Sequence, residues 1–175
     1  TWGNVKGPTI EVSTDGRTAT DIAINPKTGD DEGGRYRPCL AREGFSTGKH
    51  RWQVRIVKRG RTLVGICTEE VTGEWREGTN RSPHQVKEAW TVCVPSNGTG
   101  ISKWHANSSS ATGLPQLSEG ETLEVVLDCD ARHVTFLVNG QAGSTAGTNF
   151  FDLPDGKTFY PVVAFGGDDV RGASF

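Results

Sequence analysis

From Arg51 to Ile56 the chain alternates residue by residue: Trp52, Val54 and Ile56 point one way, while Arg51, Gln53 and Arg55 point the other. A period of two marks a β-strand with one dry face and one wet face. An α-helix cannot bury that pattern, because its apolar stripe recurs every 3.6 residues. The alternation returns downstream. Leu123, Val125 and Leu127 share a face within Thr122 to Asp128, as do Val134, Phe136 and Val138 after the turn at Asp130-Ala131-Arg132. These two segments predict a hairpin, whose second strand ends at the turn dipeptide Asn139-Gly140. Thr62 to Thr68 is an almost unbroken apolar run. With Arg59-Gly60-Arg61 as its turn, it is expected to pair with Arg51–Ile56 as another hairpin.

Thr9–Ser13, Ala19–Asn25, Tyr36–Ala41, Trp90–Val94, Ile101–Trp104, Thr158–Ala164 and Val170–Phe175 have the same strand-like character. Glycine supports this reading: 23 of 175 residues, falling between the apolar runs where tight turns need positive φ. No segment carries a helical period, and Glu69–Gly78 has room for one short turn of helix at most. Three long polar stretches separate the strands: Pro26–Gly34, Glu69–Lys87 and Ala106–Gly120. About eleven short strands joined by such loops predict an all-β, two-layer antiparallel sandwich. There is no internal repeat, and residues 1–175 are expected to form one domain. The absence of methionine, even at position 1, suggests a domain cut from a longer protein or a trimmed chain.

A formal net charge of −2 gives no global field to recruit nucleic acid or an acidic membrane. No apolar run approaches the ~18 residues that span a bilayer, and no signal peptide opens the chain. Cys39, Cys67, Cys93 and Cys129 form no C-x-x-C pair, which argues against a structural zinc. Three of them sit inside strand-like runs and read as small buried hydrophobes in a reducing, intracellular compartment. Sequons at Asn80, Asn97 and Asn107 leave secretion open.

Taken in order, the landmarks resemble the SPRY domain family. Gly48-Lys49-His50-Arg51-Trp52-Gln53-Val54 is similar to that family's G-x-H-x-W-E-V strand entry, with Gln53 in place of the acidic residue. Val64-Gly65-Ile66 resembles its V-G-V strand and Ala89-Trp90 its central tryptophan strand. Leu127-Asp128, followed by Val134-Thr135-Phe136-Leu137-Val138-Asn139-Gly140, is similar to its L-D and F-x-x-N-G hairpin. Phe159-Tyr160-Pro161-Val162-Val163 resembles its L-Y-P-x-V strand. The likeness covers about positions 44 to 175. Residues 1–43 would supply opening strands but lack the L-D-P signature of the longer PRY-SPRY arrangement. The resemblance implies a bent sandwich of jelly-roll type that binds other proteins through loops along one rim, without catalysis or a cofactor. It also implies a recognition module within adaptors, scaffolds or ubiquitin-ligase components.

Candidate contacts follow from where aromatic and Arg side chains meet loops, since such residues anchor interfaces. Arg35-Tyr36-Arg37-Pro38 lies where SPRY domains place an early binding loop, though it reads equally as a solvated strand start. Trp75 and Arg76 sit in a polar loop that offers a tryptophan little to pack against. Gly167 and Asp168, in Gly166-Gly167-Asp168-Asp169, lie between late strands and read either as a binding loop or as a solvated turn. Trp104 is expected to fill the core edge beneath the Ser-rich loop, leaving His105 at the surface. Trp52 and Trp90 are expected in the core, and Trp2 is expected to tack the N-terminus down.

Lys49, His50, Arg51, Arg55, Lys58, Arg59 and Arg61 form a basic run that reads as a solvated strand face, because no aromatics flank it to stack on single-stranded nucleic acid. Glu124, Asp128 and Asp130 share a face, but the E-x-D-x-x-E spacing of sandwich glucanases is missing. Asp128 and Asp130 read as turn organisers. His50, His84, His105 and His133 have no metal-ligand spacing, and Ser82 beside His84 makes no triad. The resulting expectation is a monomeric, non-catalytic module that takes a short segment of a partner protein. A glycan-binding jelly-roll lectin and a structural domain packed within its parent chain are the alternatives.

Overall fold

The computed structural model describes residues 1–7, 9–22, 36–58, 60–71, 86–144, 149–150, 152–166 and 171–174. The elements it describes are strands: β1 (Trp2–Lys6), β2 (Ile10–Val12), β3 (Thr18–Asp21), β4 (Arg37–Ala41), β5 (Lys49–Lys58), β6 (Arg61–Thr68), β7 (Ala89–Val94) and β8 (Ser102–His105). There follow β9 (Ser108–Ala111), β10 (Thr122–Asp128), β11 (His133–Val138), β12 (Gln141–Ala142), β13 (Asn149–Phe150), β14 (Phe159–Gly166) and β15 (Arg171–Ser174).

They form two antiparallel sheets. One runs β1-β4-β14-β6-β7-β8-β9. The other runs β12-β11-β10-β5-β15-β3-β2, with β13 beside β11. The alternating residues meet between them: Val54 and Ile56 of β5, Leu123, Val125 and Leu127 of β10, and Val134, Phe136 and Val138 of β11 pack with Val64, Ile66, Val92, Val163 and Phe165. Each such side chain, fully withdrawn from water, contributes about 1.5–3 kcal/mol.

The β10–β11 hairpin is present, in register from Leu123↔Val138 to Asp128↔His133. The expected pairing of Arg51–Ile56 with Thr62–Thr68 is corrected. β5 pairs with β10 and β15, whereas β6 pairs with β7 and β14. The chain crosses from one sheet to the other between them, so the two apolar faces oppose each other across the core rather than lying side by side. The nearly continuous run in β6 has the matching cause. Val64 and Ile66 face the central core, while Leu63 and Cys67 join separate buried clusters on the sheet's other face.

Two strands carry no legible pattern. β9 is Ser-Ser-Ser-Ala with every residue exposed, and it pairs with β8 as an edge strand. Ala106 and Asn107, at φ of 48° and 64°, supply the two left-handed positions that a tight hairpin turn requires. Trp2 does more than tack the terminus down, since it is 1% exposed inside the central core. Trp90 is buried and Trp52 half-buried against that core.

All four cysteines are free, three of them buried and Cys129 half-buried. Asp128 organises its turn as expected, accepting from the Ala131 amide at 2.9 Å. Asp130 instead reaches across to the Gly48 amide at 2.9 Å.

Candidate functional site

The seven-stranded sheet turns one face to the other sheet, and its outer face brings distant residues together. On β14, β6 and β7, Ala164, Leu63 and Cys93 stand opposite one another in register and form a buried apolar cluster. Two half-buried aromatics pack on it: Tyr36, just before β4, and Trp104 of β8. Leu63 and Cys93 had no legible face in the sequence, because a continuous apolar run hides its alternation.

Tyr36 reaches the patch across Gly166, its register neighbour beyond the Phe165↔Arg37 pair. Its hydroxyl lies beside the guanidinium of Arg61 and the thiol of Cys93. Burial, and then the thiol, push the phenol up to about 12, with Arg61 acting in the opposite sense. Burial likewise lifts the Cys93 thiol to about 11. Trp104 is held by its indole N–H, which donates to Ser102 Oγ at 2.6 Å.

Successive residues on a strand face opposite ways, so His105 leaves this patch. It is half-buried rather than free at the surface: its ring stacks on Trp90 at 4.9 Å, meets Phe150 edge-on, and Nδ1 bonds the Ala89 carbonyl at 2.9 Å. Trp104 in turn fills no part of the central core; it covers the outer cluster.

Arg37 is corrected as a surface contact. It is 2% exposed, and Nε donates to Asp21 Oδ2 at 2.8 Å, while Thr9 Oγ1 donates to Asp21 Oδ1 at 2.7 Å. A guanidinium on the inner side of its strand needs a buried counter-ion, and Asp21 of β3 in the other sheet supplies one. Pro38, on the same strand, is also buried. Arg35, Trp75, Arg76, Gly167 and Asp168 lie outside the described residues.

The basic run divides. Lys49 pairs with Asp128 at 3.2 Å, Arg51 with Glu124 at 2.6 Å, and Arg55 donates to the Gly120 carbonyl at 3.0 Å, all on the outer face of the eight-stranded sheet. His50 faces the other way and stacks on Phe45, ring centroids 3.9 Å apart. Arg61 belongs to the opposite sheet, beside Tyr36. Glu124 and Asp128 are therefore cross-strand ion-pair partners.

A cleft of about 480 Å³ opens among Arg17, Glu43, Phe45, His50, Arg51 and Trp52. It contains none of the expected contacts. Phe45 and His50 there are stacked on each other, and Arg51 is held by Glu124. Among the described residues, the Tyr36–Trp104 patch alone joins expected contact residues from separate parts of the chain.

Comparison with known proteins identifies the fold and the family. The SPRY domain profile matches residues 49–174. Butyrophilin subfamily 2 member A2 of Mus musculus is 28% identical over 127 residues, 69% of this chain and 21% of that protein. The F-box/SPRY domain-containing protein 1 of Culex quinquefasciatus is 30% identical over 130 residues, 69% of this chain and 46% of that protein. The chain thus spans less than half the length of these relatives. The SPRY domain of human HERC1 superposes with a TM-score of 0.73 at 21% identity, covering 99% of this chain and 96% of that one. The TRIM65 PSpry domain does so at 0.68 and 19%, covering 99% and 89%.

Proposed function

The chain belongs to the SPRY domain family, whose members are protein-interaction modules, and from that premise we propose that it captures a short segment of a partner protein on the Tyr36–Trp104 patch. The observation that carries this reading is the convergence of two half-buried aromatics, from the entry to β4 and from β8, on one apolar floor. Aromatic side chains with a polar tip are the anchors that interfaces favour, because they bury a large area with few rotamers to freeze. The module acts by binding, without chemistry of its own. Its setting is a larger adaptor, scaffold or ubiquitin-ligase component, a reading supported by the F-box/SPRY relatives. Four free thiols support an intracellular site of action. No helix among the described residues is long and apolar enough to cross a membrane.

Affinity capture with the domain and with Trp104→Ala, both shown to be folded by thermal melting, tests the proposal. Partners recovered by the parent and lost by the variant support it. An identical set of partners from both proteins removes the patch as the binding site.

A further inference from the structure

The patch is apolar in its floor but not in its charge. Arg61 opens β6 with an exposed side chain, and its guanidinium lies beside the Tyr36 hydroxyl and the Cys93 thiol. Neither group is an anion at neutral pH, since burial holds both far above it. Among the described residues no carboxylate stands against this guanidinium, whereas Arg37 has Asp21 and Arg51 has Glu124. A cation that meets no carboxylate among the described residues, beside a half-buried aromatic, is suited to bind an anion. Guanidinium geometry favours a carboxylate, held by two parallel charge-assisted hydrogen bonds.

The register sets the spacing. Arg61 precedes Thr62, which stands opposite Val94 on β7, while Trp104 on β8 stands opposite Thr91. The two anchors are therefore two strands apart and four positions offset along them. At ~4.8 Å between strands and ~3.3 Å per residue, that is a diagonal of about 16 Å, the span of about five extended residues.

We propose that the patch recognises an extended acidic segment of its partner, in which an Asp or Glu carboxylate docks on Arg61 and an apolar side chain about five residues away docks on Trp104. This inference rests on the reading of the patch as a binding site for a short protein segment, and it names the chemistry of that segment.

The probe is an array of synthetic ten-residue peptides carrying one Asp or Glu spaced three to six positions from a Leu or Phe, in both directions. Each peptide has a twin with Asn or Gln at the acidic position. The domain is expected to bind the best acidic peptides at least tenfold more tightly than their twins, with the preference shrinking as salt rises. Arg61→Gln should erase the preference, Arg61→Glu should reverse it toward Lys-bearing peptides, and Trp104→Ala should lose both series. All variants are first checked for an unchanged melting transition. Equal binding of acidic peptides and twins, still dependent on Trp104, overturns the acidic segment and leaves peptide capture standing. No binding of either series by the folded domain overturns both.

Discussion

The ring of Tyr36 fills the space that any side chain on Gly166 would need: a β-carbon there would stand 2.6 Å from Tyr36 Cε1 and 2.8 Å from Cδ1. One of the two aromatics of the patch is thus positioned by the absence of a single methyl group on the neighbouring strand.

Gly166→Ala is accordingly expected to push Tyr36 off the Leu63–Cys93–Ala164 cluster at a cost of about 1–3 kcal/mol. A urea midpoint measures that loss, and partner capture should fall with it. Gly65→Ala should be worse. Its β-carbon would lie 2.0 Å from the Trp90 carbonyl oxygen, and backbone in a paired strand cannot swing aside as a ring can. Equal midpoints for the two variants would show that the sheet relaxes more readily than this packing implies.

Arg37→Ala leaves the Asp21 carboxylate, itself 0% exposed, without its guanidinium partner. Removing one member of a buried pair typically costs about 3–5 kcal/mol, since the remaining charge is stranded away from water. Denaturant unfolding of Arg37→Ala should show a loss in that range. Stability within 1 kcal/mol of the parent would mean that water reaches Asp21. Loss of partner binding in this variant reports on folding, and so does not place Arg37 in the interface.

Glu124 ties stability to pH. The Arg51 hydrogen bond, aided by Gln53, holds its carboxyl below the ordinary 4.5 despite the opposing effect of burial. A depressed folded-state pKa means that the contribution is complete above the unfolded-state value and fades as pH falls through the folded one. Glu124→Gln should therefore be less stable than the parent at pH 7, and the gap should close as acid is added below about pH 4.5. Urea midpoints across that range check it, and a gap constant from pH 7 to pH 3 refutes it.

The thiols should be slow. Burial pushes Cys39 up to about 12 and Cys93 to about 11, and raises Cys67 further still. Cys129 is raised by partial burial and by the carboxylates of Asp130 and Asp128, yet it alone of the four is partly exposed. Because the thiolate is the reacting form, iodoacetamide on the native protein followed by peptide mass spectrometry should label Cys129 first. The other three should label on unfolding. Early modification of Cys93 would show that the Tyr36 patch opens.

The alternation in β5, β10 and β11 decided the fold class from sequence alone, because a residue's face in a strand is set by its parity and needs no knowledge of neighbours. Parity could not say which strands would pair. β5 and β6, joined by two residues, went to different sheets because each had an apolar face to bury and the two could bury them against each other. Nor could local pattern separate Arg37 from Arg61. Both are arginines at strand starts, and only the packing of one sheet on the other places Asp21 of β3 against the first, while the second meets Tyr36 and Cys93 among the described residues. The seryl strand β9 was silent for the opposite reason: an exposed edge strand buries nothing, so backbone pairing alone holds it and leaves no trace in composition. What the chain wrote locally is its strands. What the packed sheets decided is which of their side chains a partner can reach, since exposure and counter-ions are properties of neighbours distant in sequence.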